Sequence, residues 1–421
     1  MIKNFTFLIS DFIRLEKEQW LPYEKIEELQ WRRFKKILKF AYDNTEFYRT
    51  RFKSTGIEPW DIKEKKDLEK IPILTREDLK YPEKLVASGF EKNSMNVSTT
   101  SGSTGRRTTT YFDKRAWVKG KFLLKLRARL ACGLRPFDRL AVFSEVKGNN
   151  SVFKELFLRQ KIFFIFDELE KQILEIEEYN PSAIYGFPSY LSLLADRKTN
   201  RMNPSRVFTS SEMLDLKTRE KIERAFGARV FDIYGCNEVK EIGWECKAQN
   251  GYHINSDWLL VEFVKSRDSY MGEEDAIIVT SLYNYGMPLI RYEVGDTCRF
   301  IKERCSCGRG LPLIRSIKGR SVDYFTLPDN SRISPYAMTI ALEKIEGIKR
   351  FQIIQEWKDL VTVNVVPENL YDSNTRDEIK FALRDVLPGV TVGVKVVREI
   401  LKGKNGKYRI VLSKVNNDRS K

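Results

Sequence analysis

The chain has 421 residues, 42% of them hydrophobic, and its 74 Lys and Arg against 58 Asp and Glu leave a formal charge of +16. That length exceeds one ordinary domain and fits a large domain with a smaller companion. The charge suits anionic partners, but basic residues alternate with acids in runs such as Ile62-Lys-Glu-Lys-Lys-Asp-Leu68, so no concentrated nucleic-acid-binding stripe stands out and most of the charge reads as solvated surface. The first ten residues are apolar only until Asp11 and Arg14, far short of the roughly 20 needed to span a membrane. No small-residue cleavage site follows. Six cysteines without an even framework point to a reduced, cytoplasmic protein.

Leu29, Phe34, Ile37, Leu38 and Ala41 recur at helical spacing, so the first 80 or so residues read as helix, turn, helix. Pro59, Pro72 and Thr75-Arg-Glu-Asp78 punctuate the next stretch. From 97 to about 290, apolar runs at 140–143, 183–185, 206–209, 230–234 and 276–280 alternate with helical stretches at 152–160, 168–179, 188–197 and 215–226. This alternation predicts an α/β core. A break at Gly319-Arg320 precedes a second pattern: helix 335–346, strands 348–356 and 360–366, helix 374–387 and strand 390–398. The expected organisation is a large multi-layer α/β domain over 1–318 and a smaller α+β domain over 319–421. No Gly/Ser-rich linker separates them, so the junction reads as a hinge.

Several stretches carry chemistry. Ser98-Thr-Thr-Ser-Gly-Ser-Thr-Gly-Arg-Arg-Thr-Thr-Thr-Tyr111 can present backbone N–H groups and hydroxyls to phosphate oxygens. It lacks the Lys-Ser/Thr of a Walker loop, and its glycines alone would also suit a polar surface loop. Val230-Phe-Asp-Ile-Tyr-Gly-Cys-Asn-Glu238 ends a strand with an aromatic ring and an acid, at the edge where α/β sheets bind ligands. In Pro288-Leu-Ile-Arg-Tyr-Glu-Val-Gly-Asp296 a carboxylate follows a glycine turn, suited to paired hydroxyls or equally to an Asx turn. Gly403-Lys-Asn-Gly-Lys-Tyr-Arg409 is a basic loop whose lysine can reach over a phosphate as a point charge. Cys246, the lone His253, Cys305 and Cys307 make a tetrahedral zinc set of structural type, with free buried cysteines as the alternative.

Taken in order, these stretches resemble the adenylate-forming enzymes of the phenylacetate–CoA ligase family, close to the CapK-type members of capsule biosynthesis. The resemblance covers nearly the whole chain, including Ala41-Tyr-Asp-Asn-Thr-Glu-Phe-Tyr-Arg49 and Lys70-Ile-Pro-Ile-Leu-Thr75 near the start. It implies an ATP-dependent acid–thiol ligase that converts a small-molecule carboxylate to acyl-AMP and passes it to coenzyme A or another thiol or amine. By the same resemblance Ser101, Gly102, Ser103, Thr104 and Gly105 hold phosphates, and Ser211 and Glu212 lie in the adenine-side loop. Tyr234 and Gly235 meet adenine, Glu238 holds Mg2+, Asp296 binds ribose, Arg320 contacts AMP, and Lys407 bridges carboxylate and α-phosphate. Arg106-Arg107 replaces the family's Lys-Pro, and Val322 stands at the usual pivot aspartate, leaving only Asp323 of that pair. Tyr185, Phe187 and Trp244, with Phe143, hint at an apolar or aromatic acid, although core packing explains them as well. A homodimer is left open; neither nucleic acid nor a membrane span is expected. The rival functions are a nucleotidyl transferase that leaves AMP on its product and, more remotely, a basic zinc-containing nucleic-acid binder. The latter has no need of the hydroxyl-rich loop.

Overall fold

The computed structural model describes residues 2–99, 108–135, 137–144, 159–165, 167–197, 201–265, 275–318, 325–329, 332–333, 338–339, 341–342, 345–384, 386–400 and 411–415. It divides into two compact units, one formed by Met1–Thr99, Thr108–Pro188 and Leu194–Arg320, the other built chiefly on Ser321–Lys421.

The first unit opens with helices α1 (Ile2–Glu18), α2 (Tyr23–Asn44) and α3 (Glu46–Thr55). The periodic residues of α2, Phe34, Ile37, Leu38 and Ala41, are buried, which is what their spacing dictates. Helix α3 stops at Gly56 in the left-handed conformation (φ 67°), the usual glycine device for ending a helix. A short antiparallel pair follows, β1 (Asn96–Thr99) with β2 (Thr109–Phe112), and Thr99 faces Thr109. Helices α4 (Lys114–Val118) and α5 (Leu124–Ala131) are joined by one π-helical turn.

Eleven strands make the central sheet. Strands β3 (Leu140–Ser144), β4 (Gln160–Phe164), β5 (Ala183–Gly186), β6 (Arg206–Ser210) and β7 (Arg229–Cys236) run parallel in the order β4-β3-β5-β6-β7. Helices α6 (Leu169–Tyr179), α7 (Pro188–Asp196) and α8 (Leu216–Phe226) lie between these strands in the chain. Beyond β7 the sheet turns antiparallel through β8 (Lys240–Glu245), β9 (Tyr252–Ile254), β10 (Leu259–Lys265), β11 (Asp275–Ser281), β12 (Tyr292–Ile301) and β13 (Leu313–Lys318). Its full order is β10-β11-β12-β13-β9-β8-β7-β6-β5-β3-β4. The expected α/β core is therefore half of a mixed sheet. Hairpins could add the other half without crossover helices.

The second unit contains a small pair, β14 (Phe325–Thr326) with β15 (Arg332–Ile333). Its main sheet, of β16 (Ile348–Trp357), β17 (Leu360–Pro367), β18 (Thr391–Val396) and β19 (Val411–Ser413), has the order β18-β17-β16-β19. Helix α9 (Ser373–Arg384) buries Ile379 and Leu383 in a core with Ile353, Val361, Val363 and Val365. No helix among the described residues is long and apolar enough to cross a membrane.

Candidate active site

The parallel strands end together at Ser144, Gly186, Ser210 and Cys236, and the carboxyl edge they form is where open α/β sheets take ligands. Just past β6, Ser211 holds φ at 73°, a left-handed conformation that a serine adopts only under strain. Glu212 follows it, half-buried.

Strand β7 then turns back into β8 through Asn237, Glu238 and Val239. A bulge at Tyr234/Gly235 makes that turn possible. A Cβ on Gly235 would lie 2.5 Å from the Lys240 carbonyl oxygen, so this glycine is demanded by backbone approach alone. Lys240 itself sits at φ 64°.

Three contacts fasten this turn to both flanks of the hydroxyl-rich segment. Asn237 donates to the Thr99 carbonyl (3.1 Å), Lys240 Nζ donates to Ser98 Oγ (2.5 Å), and Thr108 Oγ1 donates to Glu238 Oε1 (3.3 Å). Ser101, Gly102, Ser103, Thr104 and Gly105, together with Arg320, Val322, Asp323 and Lys407, lie outside the described residues. Tyr292 Oη also donates to Glu238 Oε1, at 2.9 Å. Both bonds land on one oxygen, so Glu238 Oε2 has no hydrogen-bond partner among the described residues.

Tyr234 Oη donates to Asp296 Oδ2 at 2.8 Å. Burial, then the neighbouring Asp296 charge, pushes the phenol well above its ordinary range and keeps it a donor. Tyr234 lies on β7 and Asp296 on β12, with β8, β9 and β13 between them in the sheet. On a flat sheet that separation would be about 19 Å. The sheet must curl for the two side chains to touch.

Lys240 Nζ rests over the rings of Phe112 (4.6 Å) and Trp117 (4.9 Å), and burial pushes its amine down to about 8. Neither Lys240 nor Tyr292 was marked as a site residue by sequence reasoning. Tyr292 lies inside the 288–296 motif, four residues before Asp296, a spacing that puts both on one strand face; that was the available signal.

The cysteine–histidine group assembles at the far end of β8, about 20 Å along a six-residue strand from the Glu238 turn. The ligating atoms of Cys246, His253, Cys305 and Cys307 all lie within 4.8 Å of one another. Cys246 and Cys305 sulfurs are 3.6 Å apart, and Cys307 Sγ is 3.3 Å from His253 Nε2. Two thiolates at 2.3 Å on a tetrahedral ion would be separated by about 3.8 Å, so the spacing fits a four-ligand metal site. His253 Nδ1 lies 3.3 Å from the Leu311 carbonyl, an acceptor only, which aims the Nε2 lone pair at the sulfurs. Burial works against charge on Cys307, yet the His253 contact and the Arg309 amide draw it down to about 5.

Trp244 packs in the core beside this group. Its indole is fully buried, donates to Asn255 Oδ1 (2.9 Å) and lies 5.1 Å from the His253 ring. The sequence groups it with Tyr185 and Phe187 as an aromatic of the 234–245 stretch. Tyr185 does sit at the carboxyl edge, next to last on β5, and Phe187 follows half-buried.

The CapK C-terminal domain family matches residues 325–414. A phenylacetate-coenzyme A ligase of Thermus thermophilus is 26% identical over 354 residues, spanning 79% of each chain. Protein CapK of Staphylococcus aureus is 22% identical over 402 residues, 84% of this chain and 82% of that one. Over most of its length the chain is thus similar to the phenylacetate-coenzyme A ligases and to CapK. A solved 2-hydroxyisobutyryl-CoA ligase, in complex with 2-HIB-AMP and CoA, shares the adenylate-forming fold. It has a TM-score of 0.67 at 23% identity, over 95% of this chain and 91% of that one.

Proposed function

We propose that this chain activates a carboxylic acid with ATP, releasing pyrophosphate and forming acyl-AMP, then passes the acyl group to coenzyme A or another thiol or amine. The observation that carries the reading is the fastening of both flanks of the hydroxyl-rich segment to the turn that bears Glu238. Ser98, Thr99 and Thr108 on those flanks thereby meet the Glu238 turn, whose strand also carries the Tyr234–Asp296 pair. In this reading Tyr234 offers its ring to adenine, Asp296 accepts the ribose hydroxyls, and Ser101–Gly105 donate to phosphate oxygens. Glu238 Oε2 is free for magnesium, which would neutralise phosphate charge there. By the family resemblance Lys407 is assigned to the α-phosphate. The names of the relatives support coenzyme A as acceptor, and the likeness to CapK supports a place in surface polysaccharide biosynthesis.

The direct test is acid-dependent exchange of pyrophosphate into ATP across a library of carboxylic acids. Exchange with at least one acid is expected. AMP retained on the product, with no acid-dependent exchange, would shift the assignment to nucleotidyl transfer. Lys407→Ala should slow acyl-AMP formation about 10²-fold, the lower scale for one electrostatic contact. Synthetic acyl-AMP should still react with acceptor at the parent rate, because the acceptor attacks the acyl carbon and phosphorus is not attacked in that step.

The four-ligand group at the far end of β8 is assigned to structural zinc. Gly310 N–H donates to the Gln19 carbonyl (3.0 Å) and Arg309 Nε to Gln19 Oε1 (2.8 Å), so the ligand loop pins the α1–α2 turn. Elemental analysis should find about one zinc per chain. Cys305→Ser should lower both metal content and the unfolding midpoint; a metal-free protein with the parent midpoint removes the assignment.

A further inference from the structure

Helix α5 carries Lys125 and Arg129 four residues apart, hence on one face. Both meet the ring of Tyr185: Lys125 Nζ lies 5.3 Å from its centroid and the Arg129 guanidinium 4.7 Å. Lys125 Nζ is also 3.3 Å from Tyr185 Oη and 3.3 Å from Glu241 Oε1. Lys240 neighbours the same Glu241, with Lys121 and Cys236 also acting on it. Glu241 thus pairs with Lys125 and acts only through space on Arg129 and Lys240.

Arg129 is the anomaly. Its guanidinium has no hydrogen bond and no ion pair among the described residues, and its Nε is sealed from solvent without an acceptor. Burial disfavours its charge, and the Tyr185 ring and Glu241 only partly offset this. The side chain is half-buried, so a guanidinium with no hydrogen-bond partner among the described residues can take an anion arriving from outside. Lys125 keeps 29% of its side-chain exposure, so the group can be reached from outside. Its position is informative too. Tyr185 stands at the carboxyl edge of the parallel strands, and Lys240 links the cations to Ser98 at the flank of the phosphate segment.

We propose that Arg129, assisted by Lys125, binds a second anionic group on the acid that this enzyme activates. The proposal rests on the adenylation reading above and names its substrate class: acids carrying a further carboxylate, phosphate or sulfate. It replaces the apolar or aromatic acid suggested by Tyr185 and Phe187, because the Tyr185 ring is already occupied by two cations. The reacting carboxylate lies at the Ser98–Glu238 end, and the second anion lies toward Arg129.

The test uses non-hydrolysable acyl-sulfamoyl adenosines, which contain neither pyrophosphate nor coenzyme A. Linear acyl chains of increasing length, ending in carboxylate or in methyl, are compared by calorimetry. At the best length the parent protein should bind the carboxylate form about 10–100-fold more tightly, as expected for hydrogen bonds to a charged group. Arg129→Met should reduce that preference to near unity, Arg129→Lys should keep part of it, and ATP affinity should hold in both. Arg129→Met should also unfold close to the parent temperature, since the half-buried guanidinium has no hydrogen bond or ion pair among the described residues to lose. Tight methyl-series binding without a carboxylate preference would overturn this proposal and leave adenylation standing. So would a preference that survives Arg129→Met, or a variant that loses pyrophosphate or coenzyme A affinity instead. Failure of every acyl-sulfamoyl adenosine to bind would overturn both.

Discussion

Glu238→Gln is expected to slow acid-dependent pyrophosphate release about 10²–10³-fold, with the unfolding midpoint unchanged. The substitution is nearly isosteric. Tyr292 and Thr108 hydroxyls can still donate to the remaining amide oxygen, so the pins that hold the β7–β8 turn are kept. Only the charge is lost, together with the second carboxylate oxygen, which has no hydrogen-bond partner among the described residues. Removing one preorganised electrostatic group from a phosphate site costs about 2.7–4 kcal/mol of transition-state stabilisation. The apparent affinity for magnesium–ATP should weaken in parallel. Tyr292→Phe, which leaves the charge but frees the carboxylate to rotate, should have a smaller effect. A Glu238→Gln enzyme with the parent rate would show that this acid serves only to hold the turn.

Asp257→Ala is expected to cost about 3–5 kcal/mol of stability, the range for breaking a buried ion pair. Arg127 and Asp257 side chains are both wholly inaccessible, with Nη1 to Oδ2 at 2.6 Å and Nη2 to Oδ1 at 3.1 Å. Arg127 also donates to Asn255, which in turn accepts from Trp244 beside the metal-ligand group. Removing the carboxylate strands a guanidinium in the core. The double variant Arg127→Met/Asp257→Leu should recover more than half of the loss, since matched apolar groups tolerate the same space. Chemical denaturation of the two single variants and the double variant measures this directly. A cost below about 1 kcal/mol for Asp257→Ala would mean that water reaches the site.

Arg127 and Arg129 also show what sequence can and cannot say. Both sit in Leu124-Lys-Leu-Arg-Ala-Arg-Leu-Ala131, a basic stretch without acids that reads as a solvated surface. Two residues apart on a helix, they point in roughly opposite directions. One enters an ion pair in the core, and the other meets Tyr185 at the carboxyl edge. No local pattern distinguishes them, because desolvation depends on what other segments pack against each face.

Much was legible all the same. Apolar runs and helical spacing located β3, β5, β6, β7 and β11, and helices α6, α7 and α8, because those periodicities arise within a few residues of backbone. The chemistry-bearing residue types and their order along the chain pointed to adenylate formation, and the cysteine–histidine spacing to a four-ligand group. The tertiary structure decided the rest. The curl of the sheet brings Tyr234 on β7 to Asp296 on β12 across three intervening strands. The length of β8 places Trp244 beside His253 in the metal-ligand group. The β7–β8 turn delivers Glu238 to Thr108 and Tyr292, partners 130 and 54 residues away. These are long-range pairings set by strand order and curvature, and local residue pattern carries no information about either.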